Sequence, residues 1–291
     1  AAMERGLPVD AFAPRISFFF GCHNDFCEEI AKFRAARRMW ARIMGERFGA
    51  ESRRSLLMRY HVQTDGVTLT AQQPINNIVR VTIQALAAVL GGCQSLHTNS
   101  FDEALSLPSE VAVTTALRTQ QIIAHESGAA NSVDPMGGSY LVEHLTSEIE
   151  EEALRYIERI DGMGGAASAI EEGYIQREIA ESAYNQQKEI ESGERVIVGV
   201  NRYTVEEEAP MRLLEVDLTL VNRQVERLDA YKKMRDAAKV EKSLGKLRKA
   251  AEGDVNLMPL ILEAIEVRAS NGEISNTLRE AFGEFRATTI V

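Results

Sequence analysis

The stretch RISFFFGCHNDFCEEIAKF, residues 15–33, predicts a β-strand followed directly by an α-helix. Its first six residues, RISFFF at 15–20, are rich in aromatic side chains and follow a proline, as is typical of a strand. Asp25 then supplies a helix N-cap, with Glu28 three residues further on as its capping partner. Apolar residues recur at helical spacing from Phe26 onwards, which predicts that one face of this helix packs on a core.

Two further strand–helix pairs follow along the chain. Residues 55–63 predict a second strand, and TAQQ at 70–73 predicts a capping box that begins the next helix. The apolar stripe of that helix is predicted to be Ile75, Val79, Ile83, Leu86 and Leu90. Gly91-Gly92 ends it. Residues 93–98 predict a third strand, and a helix is expected from Pro108 to Gly128.

Three strand–helix pairs in succession predict parallel strands whose helices cover the sheet. A doubly wound sheet and an eight-stranded barrel both satisfy this pattern. Three units alone cannot close a barrel. The fold class is therefore α/β, and further strands are required if the sheet is part of a barrel.

The strands carry an unusual set of polar residues. Alternation places Arg15, Ser17 and Phe19 on one face of the first strand, and it places Arg59, His61 and Gln63 on one face of the second strand. Buried parallel strands are normally continuous runs of valine, isoleucine and leucine. The pattern favours a polar ligand on this face. The alternative is that these side chains lie at exposed strand ends and only satisfy loop backbone.

The strand–helix alternation ends after Gly128. Residues 143–160 and a segment that ends at Ser192 predict helices, separated by a glycine-rich break at 162–165, and residues 196–200 predict a short strand. The remaining residues predict mainly helices. Val221, Val225, Leu228, Tyr231 and Ala238 predict one long amphipathic helix, and another helix begins at Asn256.

Composition argues against nucleic-acid binding, membrane association and metal binding. The 291 residues include 33 basic and 43 acidic side chains, a net charge of −10, which disfavours binding to nucleic acids or anionic membranes. No apolar run approaches the roughly 20 residues that a membrane helix needs. Three cysteines without a metal-binding spacing fit a reducing cytoplasm, and no metal site is predicted.

Several segments together resemble the adenosylcobalamin-dependent acyl-CoA mutases of the methylmalonyl-CoA/isobutyryl-CoA group. They include RISFF at 15–19, RYHVQT at 59–64, GGCQSLHTNSFDEA at 91–104, DPMGGSY at 134–140 and VGVN at 198–201. The similarity runs in order along almost the whole chain. It corresponds to the C-terminal half of the large subunit.

The resemblance implies a fold and a division into domains. Residues 1–135 would form the C-terminal portion of an acyl-CoA-binding (β/α)8 barrel, about three strand–helix units, entered along its axis by the pantetheine arm. Residues 136–205 would supply barrel-closing helices and a short strand. Residues 206–291 would form a mostly helical segment that wraps the barrel.

The resemblance also implies roles at the substrate end of the site. Arg15 and Ser17 match positions that contact acyl-CoA, and Phe19 matches an apolar wall. Arg59 and His61 match the strand that meets corrin and substrate. The alternatives are a structural ion pair for Arg15 and a hydrogen-bonded core histidine for His61.

The cofactor-binding residues implied by the resemblance are Gln63, Gln94, Ser95 and Glu103. Glu103 matches a carboxylate that binds the ribose hydroxyls of the adenosyl group, since a carboxylate accepts well from a vicinal diol. The alternative is an acid at a helix start that interacts with the helix dipole. His97 is interpreted as a structural residue rather than a cobalt ligand.

Two departures from the family pattern bear on substrate choice and cofactor binding. Asp65 stands where a small residue is usual, and Met136 stands where the methylmalonyl enzymes carry tryptophan. The family's cobalt-ligand motif, Asp-x-His-x-x-Gly, does not occur in the sequence. A separate domain or subunit would therefore supply the cobalt ligand.

Two hypotheses of function follow from the resemblance. In the first, the chain is part of an isomerase that rearranges an acyl-CoA by radical 1,2-migration. Its partners would be the acyl-CoA substrate, a cobalamin-binding small subunit and the N-terminal half of the large subunit. In the second, the chain is a non-catalytic half-subunit or assembly module. In both, the isolated chain is expected to be inactive.

Overall fold

The computed structural model describes residues 2–206, 213–215 and 217–284. The chain divides into two compact units, residues 1–214 and 215–291. The expected start of the helical segment at residue 206 adjoins residues 207–212, which lie outside the described residues. None of the described helices combines the length and the apolar composition that a membrane span requires.

The first unit contains a three-stranded parallel sheet, as predicted. Its strands are β1 (Phe18–Cys22), β2 (Tyr60–Thr64) and β3 (Ser95–His97), in the order β1-β2-β3. The register pairs Phe19 with His61 and His61 with Ser95. The α/β fold class is thereby confirmed.

All three strands begin later than the sequence predicts. Arg15 ends a 3₁₀ turn, Ala13–Arg15, because the proline in this turn has a fixed φ that suits a helical start. Before β2 the chain forms a short helix, Arg53–Leu56, whose Ser55 hydroxyl donates to Oδ1 of Asp10 at 2.6 Å. Before β3 the backbone amide of Tyr60 donates to a side chain rather than to strand backbone, since Oε1 of Gln94 accepts from it at 2.8 Å.

Eight α-helices lie in the described part of the first unit. They are α1 (Val9–Phe12), α2 (Phe26–Arg42), α3 (Arg53–Leu56), α4 (Asn77–Leu90), α5 (Glu110–His125), α6 (Tyr140–Gly162), α7 (Ala166–Glu171) and α8 (Tyr174–Ser192). The predicted N-cap of α2 is confirmed, because the Asp25 carboxylate accepts from the Glu28 amide at 3.2 Å.

The core of the first unit lies between one face of the sheet and the helices. Phe20 of β1 and Tyr60 of β2 pack around Phe33 of α2, with ring centroids 5.5 to 6.0 Å apart. The same cluster includes Val62, Ala87 and Ala88 of α4, and Val142 of α6. Because the helices cover this face, the residues that alternate with Phe20 and Val62 lie on the opposite, open face.

Helix α4 presents a different face to the sheet from the predicted one. The expected stripe is exposed at Ile75, Val79 and Ile83, whereas the small side chains Ala85 and Ala88 are buried. Small residues allow the helix backbone to approach the sheet closely, and this packing outweighs the apolar pattern. The predicted capping box is also absent, since the Thr70 hydroxyl donates to the backbone oxygen of Gln72.

Helix α6 is fixed to α2 by charged side chains. Glu150 of α6 is buried and pairs with Arg38 and Arg42 of α2. Arg34 of α2 bridges Asp134 and Glu143 at the start of α6. The turn that precedes α6 is therefore held against α2.

The segment after α6 agrees with the prediction in its helices and differs at the expected strand. Gly164 and Gly165 have positive φ angles and end α6, as the glycine-rich break predicts. Residues 196–200 form only an isolated bridge between Val198 and Arg202. The strand prediction is wrong because Asn201 donates to two backbone oxygens and holds this segment in a turn.

Among its described residues the second unit contains four α-helices, α9 (Leu218–Lys233), α10 (Ala237–Ala251), α11 (Met258–Glu266) and α12 (Asn271–Phe282). The predicted long helix is two helices, because Asp236 caps α10 by accepting from the Lys239 amide. The core of this unit includes Leu247, Ala264 and Ile274.

Candidate functional site

The open face of the sheet brings together the residues that alternate with the core. One row across the strands consists of Phe19, His61 and Ser95, and the next row contains Gln63 and His97. Phe19 is 64% exposed although it is a large apolar residue, and its ring centroid lies 5.2 Å from that of His61. An aromatic side chain exposed beside an imidazole is a feature that a bound molecule would cover.

Three of the predicted site residues precede the strands, at the amino edge of the sheet. Arg15, Ser17 and Arg59 are exposed there, and the Arg59 carbonyl accepts from the Phe18 amide at 2.9 Å. Neither guanidinium forms an ion pair with another described residue. Both side chains are therefore available to an anionic group.

Gln94 also lies at the amino edge, immediately before β3. Its Oε1 accepts from the Tyr60 amide and its Nε2 donates to the Gly92 carbonyl, each at 2.8 Å. Both ends of the amide are thus engaged by backbone. The structure therefore does not bring Gln94 together with Gln63 and Glu103, the other residues that the resemblance assigns to cofactor binding.

Hydrogen bonds across the open face orient the side chains of His61 and Gln63. Nδ1 of His61 forms a hydrogen bond with Oγ of Ser95, which leaves Nε2 of the imidazole for another partner. Gln63 donates from Nε2 to Oδ1 of Asn99 at 3.0 Å. The predicted residues His61, Ser95 and Gln63 therefore belong to one connected surface.

The carboxyl edge of the sheet gathers a second polar group. Nε2 of His23, after β1, lies 2.9 Å from Oδ2 of Asp65, after β2. Gly21 makes this arrangement possible, since a Cβ at that position would lie 2.6 Å from the same carboxylate oxygen. The candidate residues chosen from the sequence did not include His23. Its position directly after a predicted strand is the sequence feature that could have indicated a site residue.

Glu103 lies at the same edge, in a turn rather than at the start of a helix. Its amide donates to the Ser100 carbonyl at 3.1 Å, and α5 begins only at Glu110. Burial raises the pKa of the Glu103 carboxyl; nearby His97 opposes this effect, and Asp65 and Asp102 add to it. The carboxylate accepts no hydrogen bond from another described residue.

Asn99 is a further residue of the carboxyl edge that sequence reasoning missed. It is 1% exposed, and its backbone amide donates to Oγ1 of Thr64. Its side-chain Nδ2 has no partner among the described residues. An added Cβ on Gly66 would contact both Asn99 Nδ2 and Glu103 Oε1, which shows how near both groups are to one point. A buried donor without a partner costs free energy unless a ligand or water satisfies it.

These groups have a clear chemical order along the open face. Guanidinium groups lie at the amino edge, an aromatic ring and an imidazole lie in the middle, and an amide donor and a carboxylate acceptor lie at the carboxyl edge. Glu103 and Asn99 together suit a ligand hydroxyl, which both donates and accepts. Within the described ranges no three histidine, cysteine or acidic side chains are grouped so that they could hold a metal ion.

Comparison with known proteins identifies the family. The sequence model described as methylmalonyl-CoA mutase matches residues 1–284. The chain is 48% identical over 287 residues to the mitochondrial methylmalonyl-CoA mutase of Homo sapiens, which covers 98% of this chain and 38% of that protein.

Two further relatives are similar to the chain over nearly its whole length. The chain is 47% identical over 286 residues to the probable mitochondrial methylmalonyl-CoA mutase of Caenorhabditis elegans, covering 98% of the chain and 38% of that protein. It is 46% identical over 289 residues to the 2-hydroxyisobutanoyl-CoA mutase large subunit of Aquincola tertiaricarbonis, covering 99% of the chain and 51% of that protein. The chain thus spans about two fifths to one half of the length of these relatives. It belongs to the methylmalonyl-CoA mutase family.

Proposed function

We propose that this chain is part of an adenosylcobalamin-dependent acyl-CoA mutase and contributes the C-terminal half of its large subunit. The observation that carries the proposal is the chemical order along the open face of the sheet. Relatives that act on acyl-CoA compounds support it, since two are methylmalonyl-CoA mutases and one is a 2-hydroxyisobutanoyl-CoA mutase large subunit. The substrate is an acyl-CoA, and the reaction is an isomerisation.

The amino edge of the sheet binds the anionic part of the acyl-CoA. Arg15 and Arg59 are exposed and free of ion pairs with described residues, and guanidinium groups bind phosphate oxygens through paired donors. Ser17 adds a hydroxyl beside them. A five-residue strand is about 17 Å long, so a ligand held at this edge must be long to reach the other edge.

The middle of the open face positions the acyl group. Phe19 forms an apolar wall, and its neighbour His61 has Nε2 available to a polar ligand atom because Nδ1 is engaged by Ser95. The role of Ser95 is then to fix the orientation of the imidazole. This assignment makes Ser95 a positioning residue for the substrate rather than a direct cofactor contact.

The carboxyl edge fits the adenosyl group of the cofactor. Nδ2 of Asn99 and the carboxylate of Glu103, neither of which has a hydrogen-bond partner among the described residues, suit two ribose hydroxyls, and Gln63 orients Asn99. Adenosylcobalamin, when bound, supplies the radical chemistry that rearranges the carbon skeleton. The cobalt ligand comes from a cobalamin-binding subunit or domain. Gln94 is assigned a structural role because both ends of its amide are engaged.

The remaining strands of the sheet come from the N-terminal half of the large subunit, which would close a (β/α)8 barrel over the open face. The location of the complete enzyme is a separate matter. Cytoplasm is the prediction from the cysteine content, whereas the relatives from Homo sapiens and Caenorhabditis elegans are mitochondrial.

Reconstitution tests this proposal. The chain is co-expressed with the N-terminal part of the Aquincola tertiaricarbonis large subunit, supplied with a cobalamin-binding small subunit and adenosylcobalamin, and assayed with methylmalonyl-, isobutyryl- and 2-hydroxyisobutyryl-CoA. Isomerisation of one of these compounds supports a catalytic role. Assembly of all the components without turnover of any of them would favour the non-catalytic module.

A further inference from the structure

Two glycines at the carboxyl edge each lie beneath a carboxylate from the next strand. Oδ2 of Asp65 lies over Gly21, and Oε1 of Glu103 lies over Gly66. In both cases an added Cβ would lie closer than 3.0 Å to the carboxylate oxygen, a distance that real Cβ contacts do not reach. The φ of Gly66 is not positive, so its backbone conformation does not explain the missing side chain. The close approach of Glu103 does explain it.

The loop that carries Gly66 is fixed on both sides. Oδ1 of Asp65 accepts from the Val67 amide, and the Thr68 hydroxyl donates to the Asp65 carbonyl at 2.7 Å. The Asp65 amide donates to Oε1 of Gln84, a residue that is completely buried. His23 holds the remaining oxygen of the Asp65 carboxylate. Gly66 is therefore a rigid support rather than a flexible point in the loop.

We propose that Gly66 is a positioning residue that sets the place of the Glu103 carboxylate, with the His23–Asp65 pair holding the loop on which Gly66 lies. The proposal rests on the proposed function only in the ligand that Glu103 receives, a vicinal diol. The absence of a Cβ leaves a space bounded by Glu103 Oε1 and by the unpartnered Asn99 Nδ2. A side chain at Gly66 would push the carboxylate outward and fill the space between acceptor and donor.

Asp65 gains a role from this arrangement that its residue type alone does not indicate. The raised pKa of the Glu103 carboxyl is consistent with partial burial beside two other acids, Asp65 and Asp102. A neutral small residue in place of Asp65 would keep neither the contact with His23 nor the side-chain acceptor for the Val67 amide. Asp65 is thus expected to fix the geometry of the site without contacting the ligand.

The test compares Gly66→Ala with Gly45→Ala. A Cβ on Gly45 would make only an ordinary contact, 3.6 Å from Leu56, so this control adds the same methyl group without a clash. The first readout is the titration of the Glu103 carboxyl by carbon-13 NMR in the whole chain without ligand. Gly66→Ala should lower the pKa of Glu103 because the carboxylate moves into water, and Gly45→Ala should leave it unchanged. An unchanged titration in Gly66→Ala would overturn the proposal.

The second readout is the affinity for 5′-deoxyadenosine, measured by calorimetry. Gly66→Ala should weaken binding about tenfold, because loss of one hydrogen bond to a charged group changes affinity by about that factor. In a Glu103→Ala background Gly66→Ala should have a smaller effect, because residues that act through one another are not additive. An equal loss in both backgrounds would also overturn the proposal.

A third variant keeps the proposal testable if Gly66→Ala does not fold. Asp65→Ala releases the loop without adding atoms beside Glu103, and it should weaken 5′-deoxyadenosine binding. Because loss of the Asp65 charge lowers the pKa of Glu103 by itself, binding is the readout for this variant. Normal binding in Asp65→Ala would contradict the role of the His23–Asp65 pair. If the unmodified chain does not bind 5′-deoxyadenosine, the proposed adenosyl site in this chain is wrong, while the carboxyl titration still decides the role of Gly66.

Discussion

Nε2 of His23 lies 2.9 Å from Oδ2 of Asp65, so side chains that follow β1 and β2 meet at the carboxyl edge of the sheet. The contact requires the empty space over Gly21. The Asp65 carboxylate also accepts from the Val67 amide, so the pair with His23 is joined to the loop that follows β2. It supports the loop beside Glu103, on which the proposed adenosyl site depends.

Gly21→Ala should destabilise the first unit. The new methyl group would lie 2.6 Å from Oδ2 of Asp65, so this carboxylate must shift and lose its contact with His23, which should cost about 1 kcal/mol. Urea unfolding of the whole chain measures the loss. The double variant Gly21→Ala/Asp65→Gly removes the clashing side chain and should unfold at a urea concentration no lower than that of Gly21→Ala. A double variant that is less stable than Gly21→Ala would contradict the steric explanation.

The buried carboxylate of Glu150 should make α2 and α6 sensitive to loss of its partners. Replacing both Arg38 and Arg42 by methionine leaves the charge buried without compensation, which should cost about 3 kcal/mol in the free energy of unfolding. Adding Glu150→Leu to the double variant should recover much of this loss, because no unpaired charge remains. Thermal unfolding measures all three proteins. Absence of recovery would show that the arginines act mainly through their apolar stems.

The second unit should have a pH-dependent stability that arises from Glu273. Its carboxylate accepts from Arg235 and from the Ser270 amide, the former at 2.6 Å, and these contacts lower its pKa to about 2. A lowered pKa in the folded state means that the stabilisation is complete above the unfolded pKa of about 4.3. It is lost as the pH falls towards 2.

Acid unfolding of Glu273→Gln tests this expectation. The variant should be less stable than the unmodified chain at pH 7, and the difference should shrink as the pH falls from 4 to 2. NMR signals of α12 report on this unit within the whole chain. A difference that stays constant across this range would contradict the assignment of the pH dependence to Glu273.

Ligand binding at Glu103 should have the pH dependence of an acid whose pKa is raised. The ionised carboxylate is the better acceptor for hydroxyl groups, and burial raises its pKa above the ordinary value for glutamate. Binding of 5′-deoxyadenosine should therefore weaken on acidification at a pH higher than an exposed glutamate would give. In Glu103→Gln the affinity should be lower and nearly independent of pH between 4 and 7. The same pH profile in both proteins would exclude Glu103 as the titrating group.

The sequence predicted the three parallel strand–helix units because strand composition, the Asp25 cap and the glycine stops are local signals. It misplaced the strand starts and the buried face of α4, because these depend on distant partners. Asp10 holds the residues before β2, and the alanines of α4 fit the sheet more closely than the predicted stripe. Local periodicity contains no information about such contacts.

The candidate site likewise contains residues that local sequence signals indicate and residues that depend on distant contacts. Arg15 lies in a 3₁₀ turn before β1 rather than in the strand, and its binding role, like those of His61 and Gln63, stays a prediction. The positions of His61 and Gln63 on the open face could be predicted from alternation. His23 and Asn99 could not, since their roles depend on the spaces left by Gly21 and Gly66 and on which strand neighbours which. The position of Gln94 at the amino edge likewise follows from its contact with Tyr60, 34 residues away.

Turnover by the reconstituted enzyme tests the central claim most directly. The account predicts that an acyl-CoA is isomerised only when this chain, the N-terminal half of the large subunit, the cobalamin-binding subunit and adenosylcobalamin are all present. It also predicts that Glu103→Gln slows loss of the intact cofactor's absorbance in stopped flow while acyl-CoA binding stays nearly intact, with a cost of about 1–2 kcal/mol. Turnover by the purified chain alone, or homolysis at an unchanged rate in Glu103→Gln, would contradict the account.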